Sequence, residues 1–438
     1  MAENNRRRKT VSPLDALRDG FTDPIRDVLW GHIYLTPELA ALTGSLPFMR
    51  LGRIFQLGPV YCVYPGATHT RASHSIGVYH LGRRLLRNLA GRGADAWLTT
   101  EGVFSFLCAC LLHDLGHFPY THSLKELPLR SHEELTGRII LSEPVKSLIG
   151  AAGADPALCA AIVDKNLPGK GAELLFYRKL LSGALDPDKL DYLNRDARYC
   201  GIPYGAQDVD FILSRLYPHR ERGVDIDSRG IPSVESILFS KYLMYRTVYW
   251  HHSVRSATSM IKKALLLSLE AGLVTEEELY NLDDQGLFTL LRNRASRSGA
   301  AETAASLAEA VREGRLYGTA AEFSFVEADH LRLRDIKNRS RYEENLAGAL
   351  REAGIPLGPG ALIIDVPEPV SFETGLHVND EDCFFGESSS AFTLETVNSF
   401  VKSLYIIRVF VDPAQEEAVK TCPALHHILH IHKKWLNL

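Results

Sequence analysis

The chain has 438 residues, of which 45% are hydrophobic and 23% charged, a composition that is ordinary for a globular protein with a large core. Its 49 Lys and Arg residues oppose 53 Asp and Glu residues, and the resulting net charge of −4 excludes a general electrostatic attraction to nucleic acid. The N-terminal segment lacks the apolar core of a signal peptide, and no apolar run reaches the roughly 18 residues of a membrane span, so we expect a cytoplasmic protein with no membrane partner.

The first part of the chain predicts a tail followed by short elements. Residues 1–20 are polar, and the basic run at residues 6–9 favours a flexible, solvated tail. Residues 60–64 (VYCVY) predict a short strand, because aromatic and β-branched residues precede a Pro-Gly pair. The seven cysteines have irregular spacing, which is typical of reduced core thiols and not of a disulfide framework.

An unusually apolar helix is predicted at residues 104–112 (FSFLCACLL), where apolar side chains occupy every face. It ends at His113 and Asp114, two potential metal ligands, and Gly116 can break the helix. Because an ionised Asp is costly to bury without a partner, a buried cation is the favoured explanation. A helix cap or a buried ion pair remains the alternative.

Two further helix starts carry histidines. Apolar positions after Arg71 keep helical spacing, which places Arg71 and His74 about one turn apart on the same face. The capping-box pattern at residues 131–134 makes His132 the first residue of another helix, where the dipole favours an anion. Structural histidines at plain helix starts are the alternative interpretation of both stretches.

The stretch DPDKLDYLNRD at residues 186–196 predicts a helix that is capped by Asp186 and has Pro187 as its first residue. A solvated amphipathic face is the alternative to a functional one. The polar residues that recur on one face of this helix are Asp188, Asp191 or Tyr192, Arg195 and Asp196.

The second half predicts a long helix and then a smaller lobe. Residues 236–269 have continuous helical spacing, whereas residues 361–367 and 404–411 are typical of strands. The histidines within residues 426–432 favour an amphipathic terminal helix over a metal site, because no acidic or Cys partner is interleaved with them. We therefore expect a mostly α fold with a tail at 1–20, a helical catalytic core at 21–309 and an α/β lobe at 310–438.

The helix-borne histidines and aspartates combine into a candidate metal site. Nitrogen and oxygen ligands of this kind suit Fe, Mn, Zn, Co, Ni or Mg, and a bound divalent ion supplies a hydroxide nucleophile near neutral pH. Neighbouring cationic side chains make a phosphate ester the natural target. The candidate ligands are His74, His113, Asp114 and Asp188.

The motifs RASHS, LLHDLGHFPYTH and DPDKLDY resemble those of the HD-domain phosphohydrolase superfamily. Within it the chain is similar to the deoxynucleoside triphosphate triphosphohydrolases, including the mammalian sterile-alpha-motif member, up to about residue 265 and more weakly beyond. The resemblance implies hydrolysis of deoxynucleoside triphosphates to deoxynucleoside and inorganic triphosphate, by attack of a metal-bound hydroxide at the α-phosphorus. It also implies a homo-oligomer, a dimer or tetramer, and leaves single-stranded nucleic acid open as a further partner.

The same resemblance implies roles for individual side chains. It assigns the divalent metal to His74, His113, Asp114 and Asp188. It places around the α-phosphate the catalytic residues His117, His122 and His132, the last supported by Glu133, and leaves open which histidine protonates the departing 5′-oxygen. It assigns the triphosphate and the sugar to Gln56, Leu57, Arg71, Lys189, Tyr192, Asp196, Lys241 and Tyr249.

The sequence departs from this family at one site, and two rival functions remain open. Three side chains that read an activating guanine nucleotide in the mammalian enzyme align with Gly44, Met49 and Gly52, none of which can replace a bidentate contact. We therefore expect that the protein lacks this activator site or uses another nucleotide there. The rival functions are an HD phosphatase or phosphodiesterase acting on nucleoside monophosphates or other phosphate esters, and a nucleotide or single-stranded nucleic-acid binding regulator with a vestigial metal site.

Overall fold

The computed structural model describes residues 12–169, 171–295, 299–423 and 425. The basic run at residues 6–9 and the histidines within residues 426–432 lie outside the described residues. Where the structure describes the chain, it is a helical core with small sheets and a smaller α/β lobe, as predicted.

The helices and strands are named here in chain order, for the described residues. The α-helices are α1 (Pro13–Ala16), α2 (Pro37–Thr43), α3 (Leu46–Leu51), α4 (Arg71–Gly91), α5 (Thr100–Leu112), α6 (His132–Ile140), α7 (Val145–Ala151), α8 (Pro156–Val163), α9 (Ala172–Leu181), α10 (Pro187–Cys200), α11 (Val209–Ser214), α12 (Ile231–Met244), α13 (His252–Glu270), α14 (Glu276–Tyr280), α15 (Asp284–Arg294), α16 (Gly299–Arg312), α17 (Glu327–His330), α18 (Ile336–Glu352), α19 (Leu394–Leu404) and α20 (Glu416–Lys420). The strands are β1 (Asp23–Asp27), β2 (Gly31–Leu35), β3 (Leu216–His219), β4 (Gly223–Ile226), β5 (Gly318–Ser324), β6 (Leu362–Asp365), β7 (His377–Val378), β8 (Cys383–Phe384) and β9 (Ile406–Val411).

The centre of the core is α5, which confirms the predicted all-round buried helix. Its residues 106–112 are completely buried, and it packs against α4 and α8. The Thr99 hydroxyl caps its start by accepting from Gly102 N at 3.0 Å, and His113 is its C-cap residue. Because α5 is buried and packed on several sides, the positions of His113 and Asp114 at its C-terminal end are fixed.

A second contact, between α4 and α10, brings two candidate ligand helices together. Asp186 caps α10 as predicted, since its carboxylate accepts from Lys189 N at 2.7 Å. Gly77 on α4 faces α10, and a Cβ added there would lie 1.9 Å from Asp191 Oδ1 and 2.5 Å from Arg195 Nη2. The close approach of the two helices thus depends on a residue without a side chain.

Two predictions from local pattern were wrong. Residues 60–64 do not form a strand, because Gly58–Cys62 is a 3₁₀ helix with Pro59 in its first turn and Val60 buried in the core. The helix predicted over residues 236–269 is interrupted by a π-helical turn at Tyr245–Tyr249 between α12 and α13. Tertiary contacts of the turn outweigh helical propensity, since Tyr249 donates to Asp196 at 2.6 Å.

The C-terminal lobe contains the predicted strand pair, β6 and β9. Strand β9 pairs antiparallel with both β5 and β6, and the sheet order is β5-β9-β6. Asp365 at the end of β6 accepts from Arg255 of α13 at 2.6 and 2.8 Å, which ties the lobe to the core. The predicted boundary between residues 309 and 310 stays a prediction.

Two further expectations from the sequence concern the cysteine thiols and the absence of a membrane-spanning helix. The seven cysteines are all free thiols, as predicted. Among the described residues, no single helix is long and apolar enough to cross a membrane; α7 and α8 pass that test only as a pair, with a bend of 113° between them.

We expect Gly77→Ala to lower the free energy of unfolding by about 1–3 kcal/mol, because the added methyl group overpacks the contact between α4 and α10. Gly91→Ala on the same helix is the matched control, since a Cβ there meets nothing within 4 Å. This control should be neutral or stabilising by up to about 1 kcal/mol. Urea unfolding measures both, and equal stabilities of the two variants would contradict the assigned packing.

Candidate active site

The structure brings the four predicted metal ligands together from three helices. His74 lies in the first turn of α4, His113 and Asp114 follow α5, and Asp188 lies in the first turn of α10. The rings of His74 and His113 have centroids 5.3 Å apart, and His74 Nε2 lies 3.0 Å from Asp188 Oδ1. One ligand atom each from His74, His113 and Asp114 lies within 4.8 Å of the others. The arrangement has the dimensions of a single-ion site.

The chemistry of these residues fits a divalent cation. His113 Nδ1 lies 2.9 Å from the carbonyl oxygen of Cys110, which holds the proton on Nδ1 and leaves a lone pair on Nε2. That Nε2 atom is buried, has no hydrogen-bond partner among the described residues, and lies 3.3 Å from Asp114 Oδ1. A buried nitrogen acceptor beside carboxylate oxygens is unfavourable without a cation and suits one well.

Electrostatics at the cluster point the same way. Burial alone lowers the pKa of His74, but hydrogen bonds to Asp188 and Asp191 outweigh it and raise this pKa to about 10. Burial raises the pKa of Asp114, but His117, His113 and Arg71 together bring it well below its usual range. Without a metal these contacts keep a proton on His74 Nε2 beside Asp188, and a divalent cation bound there would replace that proton, because a metal-bound imidazole is neutral and Asp114 is already ionised.

Asp191 is the principal site residue that the sequence-based assignment left undecided. Its Oδ2 lies 2.9 Å from His74 Nδ1, so it orients the ring that faces Asp188. Arg195 Nε and Nη2 donate to Asp191 at 2.8 and 3.0 Å, and Trp30 Nε1 donates to it at 2.7 Å. The signal in the sequence was the position of Asp191, one turn beyond Asp188 on the same helix face.

A cluster of three histidines lies beside the candidate metal site. The ring centroids of His117 and His132 are 4.0 Å apart, and those of His117 and His122 are 4.7 Å apart. Burial lowers the pKa of each, in His132 to about 4, and His132 Nδ1 lies 3.2 Å from Glu133 Oε2. The three imidazoles are therefore neutral near pH 7.

A cavity of about 390 Å³ opens over both clusters. Arg71, which is buried, donates from Nη1 to Asp114 Oδ2 at 2.8 Å, while its Nε has no partner among the described residues. The buried Oε1 of Gln56 likewise has no partner there. The predicted residues that line the cavity are Gln56, Leu57, Arg71, His74, His113, Asp114, His122, His132, Asp188, Tyr192, Asp196 and Tyr249.

Four residues that the resemblance assigns to the active site do not line the cavity. In the part of the chain that the structure describes, the lining of this cavity does not include His117, Glu133, Lys189 or Lys241. His117 is fully buried behind the cavity, and its Nε2 lies 3.1 Å from Asp114 Oδ1. Glu133 lines a neighbouring pocket, and His132 lines both that pocket and the cavity. The two lysines contact the C-terminal lobe instead.

Asp196, which the resemblance assigns to the substrate, is held by two side chains. His69 Nε2 lies 2.8 Å from Asp196 Oδ1, and the Tyr249 hydroxyl donates to Oδ2 at 2.6 Å. Sequence reasoning gave no role to His69, because an isolated histidine in a loop carries no spacing signal. The pair fixes the Asp196 carboxylate at the cavity edge.

Comparisons with known proteins now define the class. The sequence matches the family described as HD domain over residues 71–195 and the family described as HD associated region over residues 208–436. The chain belongs to the HD-domain phosphohydrolases. The HD-domain match spans all four candidate ligands, three of which form the His74, His113 and Asp114 group that could hold a metal ion.

Individual relatives are similar to this chain over only part of its length. The chain is 38% identical over 248 residues to the uncharacterized protein YwfO of Bacillus subtilis, covering 56% of this chain and 54% of that protein. It is 27% identical over 274 residues to the human deoxynucleoside triphosphate triphosphohydrolase SAMHD1, covering 55% of this chain and 44% of that enzyme. The chain thus spans about half the length of the curated relatives it matches.

Two solved structures share the fold. A hypothetical protein from Aquifex aeolicus is 24% identical with a TM-score of 0.69, covering 91% of this chain and 99% of that one. A phosphohydrolase from Bacteroides thetaiotaomicron is 22% identical with a TM-score of 0.69, covering 89% of this chain and all of the other. These similarities establish a common architecture.

We expect Asp191→Asn to weaken divalent metal binding by about 10- to 100-fold, because His74 loses its ionised acceptor at Nδ1. Asp365→Asn is the matched control, since Asp365 is also buried and also accepts from an arginine through both oxygens, away from the histidines. Titration of each variant with Mn²⁺ measures the difference. Equal metal affinities in the two variants would show that Asp191 does not support the site.

Proposed function

We propose that this protein hydrolyses deoxynucleoside triphosphates to deoxynucleoside and inorganic triphosphate. The observation that carries the proposal is a pair of polar atoms at the cavity, the donor Arg71 Nε and the acceptor Gln56 Oε1, which have no partner among the described residues and lie beside the candidate metal ligands. A ligand that offers both an anion and a donor group satisfies them. The similarity to enzymes named deoxynucleoside triphosphate triphosphohydrolases supports this substrate class.

The proposed mechanism assigns one task to each group of residues. His74, His113, Asp114 and Asp188 hold a divalent cation, which when bound lowers the pKa of water and supplies the nucleophile. Arg71 neutralises phosphate charge through a planar guanidinium that Asp114 holds in place. The negative charge of a bound triphosphate raises the pKa of the neutral histidines His117, His122 and His132, so that one of them takes up a proton and donates it to the departing 5′-oxygen.

The sugar end of the cavity is proposed to recognise a deoxyribose. Tyr249 and His69 orient Asp196 so that its carboxylate accepts from the sugar 3′-hydroxyl. Tyr192 and Gln56 line the same cavity and contact the sugar and its adjoining phosphate. Association into a homo-oligomer and any contact with single-stranded nucleic acid stay predictions from the resemblance.

The direct test is to incubate the protein with each deoxynucleoside triphosphate and Mn²⁺, Fe²⁺ or Mg²⁺, and to resolve the phosphate products. We expect inorganic triphosphate and nucleoside in equal amounts. Release of single phosphates, or cleavage of monophosphates alone, would instead support the rival phosphatase function. Nucleotide binding without any turnover would support the regulator.

We expect His113→Ala to lower turnover by more than about 100-fold, because losing an outer partner of a ligand already costs about 10- to 100-fold. Bound metal, measured by elemental analysis, should fall in parallel. His32→Ala removes an exposed histidine from β2 and should retain both metal and turnover. Full activity of His113→Ala would overturn the assigned site.

We also expect turnover without a guanine nucleotide activator. Gly44 and Gly52 end α2 and α3 without side chains, and Met49 is 52% exposed, so no bidentate acceptor or donor stands at these positions. Initial rates with and without GTP should agree within about twofold, a difference of less than 0.5 kcal/mol. Activity that appears only after GTP is added would contradict this expectation.

A further inference from the structure

Two lysines that the resemblance assigns to substrate binding, Lys189 and Lys241, contact a carboxylate of the C-terminal lobe. Glu373 Oε2 lies 3.2 Å from Lys241 Nζ and 3.7 Å from Lys189 Nζ. Lys241 also donates to the carbonyl oxygen of Ser371 at 2.7 Å, and Lys189 to Asp186 at 2.7 Å. One lobe side chain therefore lies between the half-buried Lys189 of α10 and the buried Lys241 of α12.

The carboxylate belongs to a segment that also forms one wall of the cavity. Residues 366–376 have no regular secondary structure and connect β6 with β7, which pairs with β4 of the core. Glu368, Pro369 and Val370 line the cavity, and the chain then continues to Ser371 and Glu373 at the lysines. The wall and the bound carboxylate are parts of one strap, residues 368–373.

The strap places negative charge where a phosphate ligand would need positive charge. Burial raises the pKa of Glu373, but Lys241 and Lys189 outweigh it and lower this pKa, so the carboxylate is ionised. Burial lowers the pKa of Lys241, which Glu373 partly restores. Besides Glu373, the charged groups that act on these lysines are Asp186 and Asp188, and Lys189 itself lowers the pKa of Lys241. A ligand phosphate that approaches Lys189 and Lys241 meets Glu373 already paired with them.

We propose that Glu373 is a built-in anion that competes with the terminal phosphates of the substrate for Lys189 and Lys241. The inference rests on the proposed function, because the two lysines meet a substrate phosphate only if the substrate is the triphosphate that the resemblance implies. Binding of a triphosphate then either moves the strap, which opens the cavity wall towards the lysines, or places two anions side by side. By either route the Glu373 carboxylate weakens triphosphate binding. It lowers the affinity without contacting the reacting atoms.

The test is the affinity of the full chain for inorganic triphosphate, measured by titration calorimetry at low ionic strength. Glu373→Gln keeps the shape and removes the charge, and we expect it to bind triphosphate about tenfold more tightly. Glu387→Gln is the matched control, because Glu387 is an exposed glutamate of the same lobe and makes no ion pair in the described structure. The control should agree with the parent protein within about twofold.

The double variant Glu373→Gln with Lys241→Ala shows whether the gain acts through the lysine, since it should bind no more tightly than Lys241→Ala alone. Unchanged or weaker binding by Glu373→Gln would overturn the inference and make Glu373 a support for the lysines. Turnover of deoxynucleoside triphosphates is measured separately. Tighter triphosphate binding without turnover would refute the proposed function alone, and turnover without tighter binding would refute the role of Glu373 alone.

Discussion

The candidate site depends on the need to neutralise carboxylates that meet where three helices converge, two of which, Asp114 and Asp191, are buried. Asp191 meets Arg195, Asp114 meets Arg71, and Asp188 meets His74, so each acid has a cationic partner within 3.0 Å. Because ionised groups are costly to bury singly, the packing of α4 against α10 and the end of α5 cannot be separated from this charge pattern. The same pairing leaves the ring nitrogens and carboxylate oxygens convergent, which is the geometry that a divalent cation requires.

Much of this arrangement follows from local sequence, and the exceptions have identifiable causes. The cap at Asp186, the all-round apolar α5 and its end at His113 were predicted because each is a property of a few adjacent residues. The strand expected at residues 60–64 and the unbroken helix at 236–269 were wrong because tertiary contacts decide those segments. The contact of His69 with Asp196 spans 127 residues, and that of Glu373 with Lys241 spans 132. No sequence periodicity connects residues that are so far apart along the chain.

The C-terminal lobe takes part in the cavity through its connections. Arg255 and Ser259 of α13 hold Asp365 at the end of β6, and β7 adds to the sheet of the core. Between these two anchors the chain has to pass the cavity, which explains why a wall of an HD-domain site comes from the associated region. The two matched family regions are thus one structural unit at this point, although they are separate in sequence.

The position of that wall has a consequence for the order in which the protein is made. All four candidate ligands lie between residues 74 and 188, so they leave the ribosome well before residues 368–370 of the wall. The helices that carry the ligands can pack while the cavity is still open on one side, and the last wall arrives only when β7 pairs with β4. Synthesis from the N-terminus therefore completes the set of four candidate ligands before the wall exists, so the wall is not needed to bring those ligands into the chain's first packed helices.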